Sequence, residues 1–126
     1  MCILNQAWYL HSLTRVISTI LLFILLPLSL WVALIPLDHI VDPAVVSDKV
    51  LHFSAFFGFA VLIDAAFKPV DFWFKSGLPL AAYGAVIEIL QSFTPYRSFS
   101  GWDCVADIAG VMVFYLILIK CKKCTE

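Results

Sequence analysis

The chain has 126 residues, 63% of them hydrophobic and only 13% charged, with a formal net charge of -1. A soluble domain carries about 25% charged residues, so the composition excludes an ordinary globular domain. It points instead to an integral membrane protein, one domain over residues 1–126. The near-neutral balance argues against a nucleic-acid partner. Four cysteines, Cys2, Cys104, Cys121 and Cys124, do not form the disulfide framework of a small secreted protein.

The predicted architecture is all-α, an integral membrane four-helix bundle. The first helix covers about 16–35 without a charge, and Pro27 lies within it, where a kink is expected. Its length suits the roughly 20 residues that a bilayer core demands. No small-x-small cleavage site follows, so it reads as a retained anchor, not a signal peptide. A polar connection bearing Asp38, His39 and Asp42 leads to the second helix, about 50–67, whose first turn carries Asp48. Lys68 to Ser76 reads as a short loop around Phe72-Trp73-Phe74. The third helix covers about 78–94, Pro95 to Trp102 turns the chain, and the fourth covers about 103–119. Lys120, Lys122 and Lys123 stop it. Cys121 and Cys124 bracket two of these lysines. One such pair supplies only half of a zinc site, so the segment reads as a cationic tail.

Charge distribution sets the expected orientation. With both termini cytoplasmic, the inner side receives Arg15, Lys68, Lys75, Lys120, Lys122 and Lys123, and the outer side only Lys49 and Arg97. The expected location is a bacterial cytoplasmic membrane, crossed several times.

That topology gathers the polar residues. The second and fourth helices begin at the outer surface, and their first turns carry Asp48, Lys49, His52, Asp103 and Asp107. The third ends there, with Glu88 and Gln91 near its end, and Arg97 lies in the outer turn. Glu88 precedes Thr94 by six residues, roughly 9 Å of helix. Helical phase puts Asp48, His52 and Ala55 on one face of the second helix. Ala81, Gly84, Glu88 and Gln91 share a face of the third, and Asp103, Ala106, Asp107 and Gly110 share one of the fourth. Small residues allow close helix approach, so the polar faces are expected to meet in one pocket. An ionisable group within a membrane helix costs roughly 2.5–3.5 kcal/mol on insertion scales and marks a site or an internal partner by default.

Structural roles compete for each residue. Asp48 can cap the second helix, and Ser100-Gly-Trp-Asp103 has the capping-box pattern. Lys49 can snorkel, His52 can bond a neighbouring helix, and Arg97 can pair with Asp103 or Glu88. Tyr96, Phe99 and Trp102 read as interface anchors, and Asp64 with Lys68 as an i, i+4 pair. Glu88 is too deep to cap and too short to snorkel.

Asp48-Lys49-Val-Leu-His52-Phe53, followed by Phe57-Gly58, resembles the first motif of the VanZ-like family of small bacterial membrane proteins. Glu88-Ile-Leu-Gln91-Ser-Phe93-Thr-Pro95-Tyr-Arg97-Ser-Phe-Ser100, then Asp103 and Ala106-Asp107-Ile-Ala-Gly110, resembles the second. The first helix shares only position and hydropathy with it. Tyr96 replaces a frequent glycine, and Asp107 a frequent asparagine. The carboxylate at 107 is suited to a cation or is simply tolerated. The resemblance implies four membrane helices and a link to glycopeptide antibiotics, since the founding member is associated with reduced teicoplanin susceptibility.

Three functions fit the residues. The first is a binding module for a lipid-linked precursor or polar headgroup of the cell envelope, with Lys49 and Arg97 on phosphate and Glu88, Gln91, Asp103 and Asp107 on sugar or amide groups. The second is an enzyme on that component, with His52 as base or nucleophile and Glu88 as acid. The third is an assembly protein whose polar layer sets helix register. No cofactor is expected. No ligand-spacing motif calls for a metal, although His52, Asp103 and Asp107 form a set suited to magnesium or manganese. A channel is disfavoured because no polar path continues to Asp64.

Overall fold

The first helix, α1, is continuous from Cys2 to Leu34 and contains Pro27. In this computed structural model, residues 2–36, 47–95, 97 and 99–123 are described. The expected connection through Asp38, His39 and Asp42, together with Tyr96 and Cys124, lies outside them. Three further helices follow: α2 (Asp48–Phe67), α3 (Leu78–Ser92) and α4 (Gly101–Lys123). The all-helical, four-helix expectation holds, and α1 begins well before the predicted start near residue 16.

Three stretches are long and apolar enough to cross a bilayer: His11–Leu34, Asp48–Phe67 and Gly101–Cys121. Large apolar side chains on all of these helices face outward, among them Phe23, Trp31, Phe67 and Trp102. Exposed apolar surface on this scale is what a lipid-embedded protein presents. Helix α3 has 15 residues, a rise of about 22 Å, and is too short alone for a core of about 30 Å.

Its helical path is lengthened by the segment predicted as loop. Trp73–Gly77 is a π-helical turn that runs directly into α3, closed by the Leu78 N–H donating to Trp73 O. Pro79 in the first turn of α3 has no amide hydrogen to return to the preceding turn, and the wider turn accommodates that break. Gly77 is required here, since a Cβ would strike the Trp73 ring. Asp71 starts the path by accepting from the Phe74 N–H at 3.4 Å.

Helix α2 ends on Lys68, in the left-handed region at φ 44° and ψ 59°, with its N–H donating to Asp64 O. The expected Asp64–Lys68 side-chain pair does not form. The left-handed turn carries Lys68 off the helix face, and its Nζ meets His11 Nε2 instead. Arg15 Nε caps the same end by donating to Ala66 O at 3.2 Å.

Helix α2 is central, packed most extensively on α4 and next on α1. Gly110 permits the first contact: a Cβ there would collide with the Phe53 carbonyl oxygen on α2. Below this crossing Phe56, Phe59, Ile87, Val111 and Phe114 form the core. Phe72 stacks on Tyr115 at a centroid distance of 5.4 Å and Trp73 meets it edge-on at 5.2 Å, closing the end of the bundle that holds the chain between α2 and α3. The other end is polar.

Candidate functional site

Three helices and one turn supply the polar end. Asp48, Lys49 and His52 lie in the first two turns of α2, and Asp103 and Asp107 in those of α4. The free N–H groups at those helix starts favour nearby carboxylates, which suits Asp48 and Asp103. Glu88 and Gln91 come from the last turns of α3, and Arg97 from the turn between α3 and α4. His52, Glu88, Gln91, Asp103 and Asp107 are all buried, Glu88 completely.

Their pairing is specific. His52 Nδ1 lies 2.9 Å from Asp107 Oδ1. An ionised carboxylate can only accept, so Nδ1 carries the hydrogen, and in the neutral imidazole Nε2 keeps its lone pair. That Nε2 lies 3.9 Å from Glu88 Oε1. Gly84 makes room for Asp107, because a Cβ there would sit 2.5 Å from its Oδ2. Gln91 Nε2 donates to Ala33 O at 3.0 Å and ties the end of α3 to the end of α1.

Three expected partnerships are replaced. Arg97 NH1 donates to Asp48 Oδ2 at 2.6 Å, not to Asp103 or Glu88. Asp48 occupies the first helical position after Ser47, so it is a pairing residue and not the cap. Glu88, expected to be too deep for capping, takes the Ser100 N–H on Oε2 at 2.9 Å and so caps α4 from a neighbouring helix. The turn after α3 descends enough to start α4 beside Glu88. Asp103 is thereby released from the expected capping box, and its Oδ1 faces Lys49 Nζ at 3.3 Å.

Three carboxylate oxygens in this layer are buried without a hydrogen-bond partner: Glu88 Oε1, Asp103 Oδ1 and Asp107 Oδ2. Lys49 therefore stands near Asp103 but off the hydrogen-bonding direction. Buried polar atoms in native structures are nearly always bonded, and an orphaned one needs a reason.

The layer opens into a groove of about 200 Å³ lined by Ser29, Val32, Asp48, His52, Gln91 and Arg97, among others. A second groove between α1 and α2, about 370 Å³, is lined by Leu25, Leu28, Gly58, Phe59 and Leu62. Both grooves include Ser29, Val32 and Ala55, so they adjoin along α1 and α2. The lining residues that α1 contributes are uncharged and carry no sequence signal. Ser29 is fixed there by Tyr83, whose hydroxyl lies 2.9 Å from its Oγ and donates to Leu26 O at 2.6 Å.

These features define a multi-pass membrane protein whose lipid-facing helices enclose a buried acid–histidine layer at one end. The chain belongs to the VanZ/LLP1 family, whose model matches residues 3–122 and so includes nearly all of α1. No curated protein and no solved structure matches it.

Proposed function

We propose that this protein binds a lipid-linked or phosphate-bearing component of the bacterial cell envelope at the outer leaflet of the cytoplasmic membrane. The supporting observation is that the two grooves share Ser29, Val32 and Ala55 as lining residues. A groove bordered by Asp48, His52, Gln91 and Arg97 beside an apolar one suits an amphiphile: the headgroup meets those four residues, and a hydrocarbon chain lies along Leu25, Leu28, Phe59 and Leu62. Arg97 uses one guanidinium nitrogen on Asp48, leaving other donors for phosphate oxygens. Lys49, more than half exposed, adds a second cation at the rim. Glu88 and Asp107 lie behind and position the groups in front. The excess of Lys and Arg at the other end supports cytoplasmic termini and hence an outward-facing mouth.

The test is mass spectrometry of lipids retained by the purified full chain. Wild type should keep a phosphate-bearing lipid, and both Arg97→Ala and Ala55→Trp should lose it, the first at the headgroup and the second at the groove junction. Equal lipid content in all three proteins would reject the reading. Teicoplanin susceptibility of a deletion strain tests whether this handling reaches glycopeptide action.

A second reading is an enzyme acting on the same headgroup. It is favoured by His52, whose Nδ1 is held by Asp107 while Nε2 faces Glu88. A base oriented by a carboxylate is the arrangement general-base chemistry uses. Under this reading His52→Gln retains lipid but leaves the headgroup unprocessed.

A further inference from the structure

We propose that Asp48, His52 and Asp103 bind one divalent transition-metal ion, manganese or zinc, at the mouth of the polar layer. One ligand atom from each residue lies within 4.8 Å of the other two. Three ligands at about 2.0–2.2 Å from one ion stand roughly 3.3–3.6 Å apart in a tetrahedral set. Side-chain rotations that draw the atoms roughly 1–1.5 Å closer therefore close the set. The residues come from two helix starts whose backbones Gly110 holds close together, so only side-chain movement is needed to gather the donors.

Three further observations point to a cation. Asp103 is 96% buried (4% exposed), yet its Oδ1 accepts no hydrogen bond. Glu88 Oε1, wholly buried, is likewise unpartnered and faces the imidazole. Asp107 holds His52 Nδ1 as a carboxylate usually holds a metal-bound histidine, which leaves the Nε2 lone pair of the neutral ring for an ion.

Charge agrees with geometry. The layer holds four carboxylates, Asp48, Glu88, Asp103 and Asp107, and two fixed cations, Lys49 and Arg97. With every carboxylate ionised and His52 neutral, two negative charges are left over, and one divalent ion neutralises them. One imidazole with two carboxylates suits manganese or zinc better than magnesium or calcium, which favour all-oxygen sets. Three protein ligands leave a position for water or a phosphate oxygen.

The ion does not depend on the lipid reading, and the two are tested separately. Full-length protein in detergent, freed of metal by chelation, is loaded with Mn²⁺, washed and assayed for metal content. Wild type should retain about one ion per chain and show imidazole nitrogen coupling in its electron spin-echo spectrum. Asp103→Asn, similar in shape, should weaken Mn²⁺ binding by more than about tenfold with helicity unchanged. His52→Gln should abolish the nitrogen coupling. Folded wild type that retains no more Mn²⁺ or Zn²⁺ than Asp103→Asn overturns the assignment. So does retained Mn²⁺ without nitrogen coupling.

Discussion

The two ends of this bundle are both filled, by opposite means. At the aromatic end Phe72, Trp73, Phe114 and Tyr115 interlock, with Phe72 and Phe114 at 5.7 Å between centroids. Non-directional contact is enough there, and the only orphaned polar atom among the described residues at that end is Ser76 Oγ. At the polar end His52, Glu88, Gln91, Asp103 and Asp107 occupy comparable space through directional bonds, and three carboxylate oxygens have no hydrogen-bond partner. If helix register were the only requirement, aromatic packing meets it without desolvating charge. The surplus of acceptors at the polar end is better accounted for by something that binds them.

Gly110 stands between the two ends on α4. A Cβ there meets the Phe53 carbonyl oxygen and lies 2.9 Å from Phe57 N, both backbone atoms that cannot rotate aside. Gly110→Val should force α2 and α4 apart at a cost of about 3 kcal/mol or more. Size-exclusion and thermal melting in detergent should both report loss of the folded form. A normal melt would mean the helices slide freely, contrary to the close crossing.

Phe114→Ala separates the ends. Phe114 is buried and packs edge-on against Phe57 at 6.0 Å as well as against Phe72. Its removal should cost about 3–5 kcal/mol. Retained lipid per folded chain should stay at the wild-type level, because its aromatic partners Phe57 and Phe72 line neither groove. Parallel loss of lipid would show that the two ends are coupled.

The contrast also explains what the sequence makes legible. Charges in an apolar chain stand out, so the eight polar residues and their common end follow from hydropathy and helical phase. Their partners do not follow, because pairing depends on where the turn after α3 travels. That path brings Ser100 to Glu88 and Arg97 to Asp48. The helix boundaries fail where local chemistry outweighs hydropathy. Trp73–Gly77 winds as a π turn before Pro79, and Lys68 departs in the left-handed conformation. Least legible is the groove on α1, since Val32 and Ala33 look like any lipid-facing residues until α2 and α3 are set against them.

The smallest expected effect falls on Lys49, and it sharpens the comparison furthest. Its side chain is 54% exposed and its ion pair with Asp103 is not aligned as a hydrogen bond. Exposed pairs contribute about 0–1 kcal/mol, so Lys49→Met should leave the melting temperature nearly unchanged. The ammonium nevertheless competes with any metal ion for Asp103 Oδ1. At about 4 Å in a water-like medium, repulsion between unit charges is about 1 kcal/mol, or roughly twofold to tenfold in affinity once doubled charge and screening are weighed. Mn²⁺ titration should therefore show tighter binding in Lys49→Met than in wild type, with stability unaltered. Weaker binding would mean that the lysine organises Asp103 instead of opposing the ion, and the polar end would then be held together much as the aromatic end is.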